Sequence, residues 1–363
     1  MKNEWKEVRL GDVVILNYGK ALTSTNRIVG RIPVYSSAGI IGYHNTSLVN
    51  NEGIIVGRKG SVGTVYYSHN PFFCIDTAYY ILPSENYNLK YMYYRIRSLG
   101  LENLNEDSAV PGLNRDTAYS QIFLLPPLPE QHAIAAMLSC LDEKIDKNVA
   151  INHHLEQIAQ VIFKSWFVDF EPWGGKRPIN WRDVELGDVV TLNAGGDKPV
   201  LCSSTPTNEC SIPVFSNGID NFGLYGYTDL PKVTEESVTV SARGTIGFVC
   251  LRQEPFVPIV RLITAIPNKE FITAKFLYLY LNSIHIAGVG TTQQQLTVPD
   301  FKKHRILVPN SDVVNNFTET VATMFDSIRH NRIENARLVK IRDTLLPRLM
   351  SGKLSASDIV GGK

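Results

Sequence analysis

The stretch Trp5-Lys6-Glu7-Val8-Arg9-Leu10-Gly11-Asp12-Val13-Val14 returns further along the chain as Trp181-Arg182-Asp183-Val184-Glu185-Leu186-Gly187-Asp188-Val189-Val190. The correspondence continues: Ile32-Pro33-Val34-Tyr35-Ser36 returns as Ile212-Pro213-Val214-Phe215-Ser216, and Lys59-Gly60-Ser61-Val62-Gly63 as Arg243-Gly244-Thr245-Ile246-Gly247. A period of roughly 180 residues is too long for a solenoid repeat and suits one domain plus a connector. Two similar, non-identical copies predict a pseudo-two-fold molecule that reads two different things with one architecture.

Each copy changes periodicity part-way. Its first part is rich in β-branched and aromatic residues with Gly, Pro and Asn punctuation, as in Gly53-Ile54-Ile55-Val56-Gly57, Thr64-Val65-Tyr66-Tyr67 and Ser237-Val238-Thr239-Val240-Ser241. Short strands joined by tight turns are expected there. One candidate helix falls in each copy, Leu89–Ser98 and Thr273–Ser283, where apolar residues recur at helical spacing.

The second part is long helix. After Pro126-Pro127-Leu128-Pro129, the run from Glu130 to Phe167 contains no Gly and no Pro; such a run extends about 57 Å as α-helix. Its partner runs from Asp312 to Leu346, after Val308-Pro309. Leu141, Ile145, Asn148, Asn152 and Leu155 keep heptad phase in the first, and Met324, Ile328, Asn331, Asn335 and Leu338 take the matching places in the second. Apolar seams of this spacing pack as coiled coils, and Asn within a seam sets register at a cost in stability. Otherwise these asparagines edge a solvated face.

The fold predicted is therefore α+β. It has a mainly-β domain at 1–128, a long helix at 129–170, a linker at 171–180, a second mainly-β domain at 181–310, a second long helix at 311–350 and a tail at 351–363. Antiparallel packing of the helices as a coiled coil would separate the two domains.

Composition sets looser bounds. The 363 residues carry a formal net charge of +1, so any nucleic-acid surface must be a local patch. The cysteines (Cys74, Cys140, Cys202, Cys210, Cys250) form no C-x-x-C pair, which suits a reduced cytoplasmic compartment. The N-terminus carries no apolar signal region, and no stretch approaches the ~20 apolar residues of a membrane span.

The chain resembles the specificity subunits of type I restriction-modification systems along essentially its whole length. The stretches that carry the resemblance are Leu125-Pro126-Pro127-Leu128-Pro129-Glu130-Gln131, Phe163-Lys164-Ser165-Trp166-Phe167-Val168-Asp169-Phe170 and Leu345-Leu346-Pro347-Arg348-Leu349-Met350-Ser351-Gly352-Lys353-Leu354, together with the opening Trp-x-x-Val-x-Leu-Gly-Asp-Val-Val of each half. The resemblance implies a non-catalytic subunit in which each domain reads one half of a bipartite double-stranded DNA target. It also implies that the helices span an unread gap and dock two modification (methyltransferase) subunits, which restriction subunits then join. Methyl donor and ATP are expected on those partners, with no cofactor, metal or membrane for this chain.

Individual motifs agree. Asn70-Pro71-Phe72-Phe73 approaches an amino-methyltransferase loop but lacks its second proline and any Gly-rich donor loop upstream; a turn into a strand is expected instead. There is no G-x-x-x-x-G-K-[ST] loop, and His153-His154 lacks metal-ligand companions. The better contact candidates are the repeated turns, Arg58, Lys59, Gly60 and Ser61 in one copy and Arg243, Gly244 and Thr245 in the other. Glycines admit close approach of backbone to phosphate, and basic and hydroxyl groups supply donors; a plain β-turn needs the same glycines.

Two loops differ between the copies, as base-reading elements should. One runs from Ser108 through Asn114 and Arg115; the other holds Gln293, Gln294 and Gln295. They align through Leu113 and Leu296, just ahead of a strand leading to each helix. Asn and Gln match adenine and Arg matches guanine in the major groove. Ser36-Ser37 and Ser216-Asn217 are further contact candidates. On the helices, Ile134, Met137, Leu138, Ile158, Ile162, Phe163, Ile341 and Leu345 broaden the seam, and such a stripe left exposed would mark a partner surface. Two other readings stand beside this one: a scaffold whose β domains bind proteins, and a self-sufficient methyltransferase.

Overall fold

A computed structural model describes residues 5–104, 112–288 and 295–356. The chain divides into two compact units, 1–148 with 333–363, and 149–332. Each unit thus takes one β-rich domain together with part of both long helices.

In the first unit, Lys6–Arg9 pairs antiparallel with Ile122–Leu125, so the repeated opening motif and the strand before the long helix are hydrogen-bonded. The short helix α1 (Leu10–Val13) follows at once, with Leu10 fully buried. A four-stranded sheet runs in the order Asn17–Tyr18, Ala78–Ile81, Gly53–Gly57, Val65–Ser68; a three-stranded one runs Gly39–His44, Ile32–Ser36, Phe73–Cys74. Gly53–Gly57 is buried along its whole length, which explains its unbroken apolar run: a strand covered on both faces has no polar side to alternate with. Helix α2 (Leu89–Arg97) is capped by Asn88, whose side chain accepts from the Tyr91 amide. A short helix, α3 (Arg115–Tyr119), precedes the strand Ile122–Leu125, and α4 (Leu128–Phe167) follows it.

The second unit repeats the order. Arg182–Glu185 pairs with Arg305–Val308, and α5 (Leu186–Val189) follows the first of these strands. The four-stranded sheet runs Val190–Ala194, Ile263–Pro267, Ser237–Val240, Val249–Arg252, and the three-stranded sheet runs Leu224–Thr228, Ile212–Phe215, Val257–Pro258. In each three-stranded sheet the short third strand lies parallel to the central one, through Val34 and Phe73 or Val214 and Val257. Helices α6 (Ala274–Ser283), α7 (Val298–Lys302) and α8 (Ser311–Met350) stand where α2, α3 and α4 stand in the first. The duplication is therefore one of topology, strand for strand.

Both long helices extend past the proline-free runs that mark them in the sequence. Helix α4 begins at Leu128, with Pro129 in a first turn that needs no amide there. Helix α8 runs on from Leu346 through Pro347 to Met350; the proline falls in the last turn, so little helix remains to be disrupted.

Within each unit the two helices are antiparallel. In the first, Asp142 meets Arg342 at 2.8 Å and Asn148 meets Asn335 at 2.8 Å. In the second, Asn152 meets Asn331 at 2.8 Å, and Phe163 packs against Phe317 with ring centroids 5.9 Å apart. Ile328 is buried in the seam, and Leu141, Ile145, Leu155, Met324 and Leu338 are half-buried.

The expected flanking stripe is largely consumed inside the units. Ile134 and Leu138 are fully buried in the first domain's core, and Phe163 joins Phe167, Trp181, Phe276 and Phe317 in the second. Met137, Leu345 and Ile162 are partly buried against these cores. Each β-rich domain seats its own apolar side on the helices, which covers these residues; Ile158 and Ile341 stay exposed, at 47% and 46%. No helix among the described residues is long and apolar enough to cross a membrane.

Candidate nucleic-acid interface

The repeated turn closes the hairpin between Gly53–Gly57 and Val65–Ser68. The Gly57 amide donates to Thr64 O and the Gly63 amide to Gly57 O. Gly60 and Gly63 have φ of +81° and +72°, which glycine adopts without strain. At Gly63 the space is closed as well, since a Cβ would stand 2.1 Å from the Glu102 amide nitrogen.

Three loops distant in sequence meet at this turn. The amides of Arg58 and Lys59 both donate to Thr77 O, the Leu113 amide donates to Arg58 O at 2.8 Å, and Ser37 O accepts from the Thr64 hydroxyl. Lys59, Gly60 and Ser61 are exposed on it. Ser36 and Ser37 are buried, and the Ser36 hydroxyl is occupied in its own turn by Gly39 O and the Ala38 amide.

A cleft of about 370 Å³ opens between the turn and the loop ahead of α3, lined by Tyr18, Arg58, Lys59, Tyr79, Asn114 and Arg115, among others. The guanidinium carbons of Arg58 and Arg115 lie 5.3 and 5.2 Å from the Tyr18 ring centroid, within cation–π range. Asn114 accepts from the Asp116 amide and caps α3. The sequence placed a strand directly after this loop; the structure interposes α3, and α7 in the second domain. These five-residue helices are too short to show a period.

The second domain gathers the matching pieces by the same backbone bond but different side-chain bonds. Asn217 accepts from the Ala242 amide at 2.8 Å and donates to Val260 O at 2.7 Å, which ties the Ser216-Asn217 segment to the turn at Arg243, Gly244 and Thr245. The Leu296 amide donates to Ala242 O, as Leu113 does to Arg58 O. Arg243 donates through Nε and Nη2 to Gln295 Oε1, at 3.2 and 3.1 Å. Gln293 and Gln294 lie outside the described residues.

Tyr18 and Tyr79, and the pair Val260-Arg261 in the second domain, escaped the sequence reading. Val260 and Arg261 have φ of +53° and +61°, a conformation costing about 1–2 kcal/mol per non-glycine residue. Their amides donate to Gly196 O and Gly195 O, and Asn217 holds the Val260 carbonyl. Strain held in place by neighbours in this way gathers at functional sites.

The methyltransferase-like Asn70-Pro71-Phe72-Phe73 segment is a turn into the strand Phe73–Cys74. Phe72 is fully buried, and its carbonyl accepts from the Leu48 and Val49 amides. Among the described residues no cluster of His, Cys, Asp and Glu could hold a metal.

Residues 2–157 and 178–342 both match the type I restriction modification DNA specificity domain. The chain belongs to that family. Curated relatives of this specificity family include the type I restriction enzyme HindI specificity subunit of Haemophilus influenzae, 26% identical over 67% of this chain and 71% of the relative. Another is the type I restriction enzyme MjaIX specificity subunit of Methanocaldococcus jannaschii, 25% identical over 84% and 78%. Among solved structures, the type I restriction-modification system S subunit from M. genitalium has the same fold, with a TM-score of 0.64 at 18% identity over 96% of this chain and 97% of that one.

Proposed function

We propose that this chain is the DNA-reading, non-catalytic subunit of a type I restriction-modification complex, each β-rich domain reading one half of a bipartite, asymmetric target. One observation carries the reading. In both units the same two segments, a Gly-hydroxyl turn with a basic residue and the loop ahead of a short helix, are brought together by equivalent backbone bonds. The side chains on those segments differ between the copies. A shared frame with divergent side chains is what two readers of unlike half-sites require, because phosphate contacts position and base contacts specify.

The long helices carry the two domains and dock the modification subunits, two in number, with restriction subunits added for cleavage. Methyl donor and ATP bind those partners. Of the apolar stripe along the helices, the exposed Ile158 and Ile341 remain open to such contacts.

Salt dependence tests the reading. The chain assembled with its modification subunits should bind duplex DNA with log K falling steeply against log salt, at about −0.9 per neutralised phosphate. A flat dependence would favour the alternative, a scaffold whose β-rich domains bind proteins.

A further inference from the structure

The duplicated chain supplies its own comparison. Both domains would meet the same sugar-phosphate backbone, so phosphate-contacting residues should recur, whereas a residue reading one base is needed in one copy alone. Backbone bonding matches the positions without ambiguity. Tyr18 pairs with Tyr79 where Ala194 pairs with Ile263. The carbonyls of Arg58 and Ala242 accept from Leu113 and Leu296. Arg115 and Val298 are the first residues of α3 and α7.

On this alignment the turn recurs, Lys59 as Arg243, Gly60 as Gly244 and Ser61 as Thr245. The cleft beside it does not: Tyr18, Arg58, Tyr79 and Arg115 become Ala194, Ala242, Ile263 and Val298. Both guanidinium groups and both rings are exchanged together for aliphatic groups, the mark of a unit that serves one domain only.

We infer that Arg58 and Arg115, braced on Tyr18, read guanine in the half-site of the first domain, and that the second domain reads its half-site without this pair. The inference rests on the DNA-reading function proposed above. Tyr79 fixes the cleft wall by donating its hydroxyl to Leu113 O at 3.1 Å. Arg58 gives Nε to Asp76 O at 3.2 Å, and its guanidinium also lies beside the Tyr79 hydroxyl. Arg115 Nε is buried with no hydrogen-bond partner. Among the described residues neither guanidinium forms an ion pair. Tyr18 is 48% exposed, so the ring holds both cations at an open surface. A planar guanidinium held by stacking, with no carboxylate paired to it among the described residues, presents parallel N–H groups, and these match the O6 and N7 acceptors of guanine.

The test compares Arg58→Gln, Arg115→Gln and Lys59→Gln in the full chain, expressed with its modification subunits, by sequencing methylated sites and measuring binding against salt. Arg58→Gln and Arg115→Gln should each relax a G·C position by about tenfold or more, both within one half-site, leaving the other half intact. Lys59→Gln should weaken all sites alike and reduce the salt slope by about one. Tyr18→Leu, which keeps both cations and removes the ring they share while Tyr79 and Tyr119 remain, should relax the same positions less. Uniform weakening by both arginine variants with the motif unchanged would assign them to phosphate and overturn the inference, as would no change in motif or affinity. A wild-type complex that methylates no defined motif would overturn the DNA-reading function itself.

Discussion

Asn148 donates through Nδ2 to Asn335 Oδ1 at 2.8 Å and to Glu334 Oε2 at 2.7 Å across the two long helices. Asn148 is 1% exposed, while the Glu334 side chain that accepts its second bond is open to solvent. Asn335 returns a bond to the Ile145 carbonyl at 3.3 Å. In the second unit Asn331 donates to Asn152 Oδ1 at 2.8 Å. An amide pair across an apolar seam bonds in one axial alignment, which is how it selects register, and here Asn148 Oδ1 is buried without a hydrogen-bond partner.

Asn148→Leu should therefore cost about 1–3 kcal/mol, because Asn335 loses its partner while still half-buried. Adding Asn335→Leu should recover much of that loss, a coupling of about 0.5–3 kcal/mol in a thermal-denaturation cycle. Additive losses would show that the two residues do not act as a pair.

The same helices are expected to set the gap between half-sites. One heptad inserted into each lengthens it by about 10 Å, or about three base pairs. Methylated motifs should then keep both half-site sequences and gain that spacing. A constant gap with altered half-sites would sink the ruler.

The second domain depends on Arg252, which is 8% exposed and stacked on Phe215 at 3.6 Å. It donates to Thr239 Oγ1 at 2.9 Å and to Phe222 O at 2.8 Å, and burial pushes its pKa down to about 10. Arg252→Met should lower stability by about 1–3 kcal/mol, since the Thr239 hydroxyl and the Phe222 carbonyl lose their donor. Arg252→Lys should not restore it, because an ammonium cannot both stack and span two acceptors. Melting temperatures of the purified variants check both expectations.

The turn glycines separate conformation from space. Gly244 has φ of +68° and nothing within 4 Å of where a Cβ would stand, whereas at Gly63 that place is blocked by the Glu102 backbone. Gly244→Ala should cost about 1–2 kcal/mol from its left-handed backbone alone. Gly63→Ala should cost more and shift the turn carrying Lys59. Denaturation of the two variants side by side measures the difference.

The architecture was legible because its signals were local or repeated. Trp5–Val14 and Trp181–Val190 announced the duplication, and Leu141 to Leu155 announced a seam. The fate of Ile134, Leu138 and Phe163 was not legible, since helical spacing marks an apolar face without saying what covers it. Of the candidate site, the Lys59-Gly60-Ser61 turn was visible through its recurrence. Tyr18 was not, because its two-residue strand Asn17–Tyr18 reaches the cleft only by pairing with Tyr80 and Tyr79. The left-handed backbone at Val260-Arg261 left no mark either: β-branched valine is a residue type that sequence reasoning places in a strand.

The pattern of methylated positions in DNA from cells expressing this chain with its modification subunits tests the reading of two half-sites most directly. Two short, unlike half-sites separated by a fixed unread gap are the predicted result. Methylation of a continuous motif, or of none although the subunits co-purify, would contradict it.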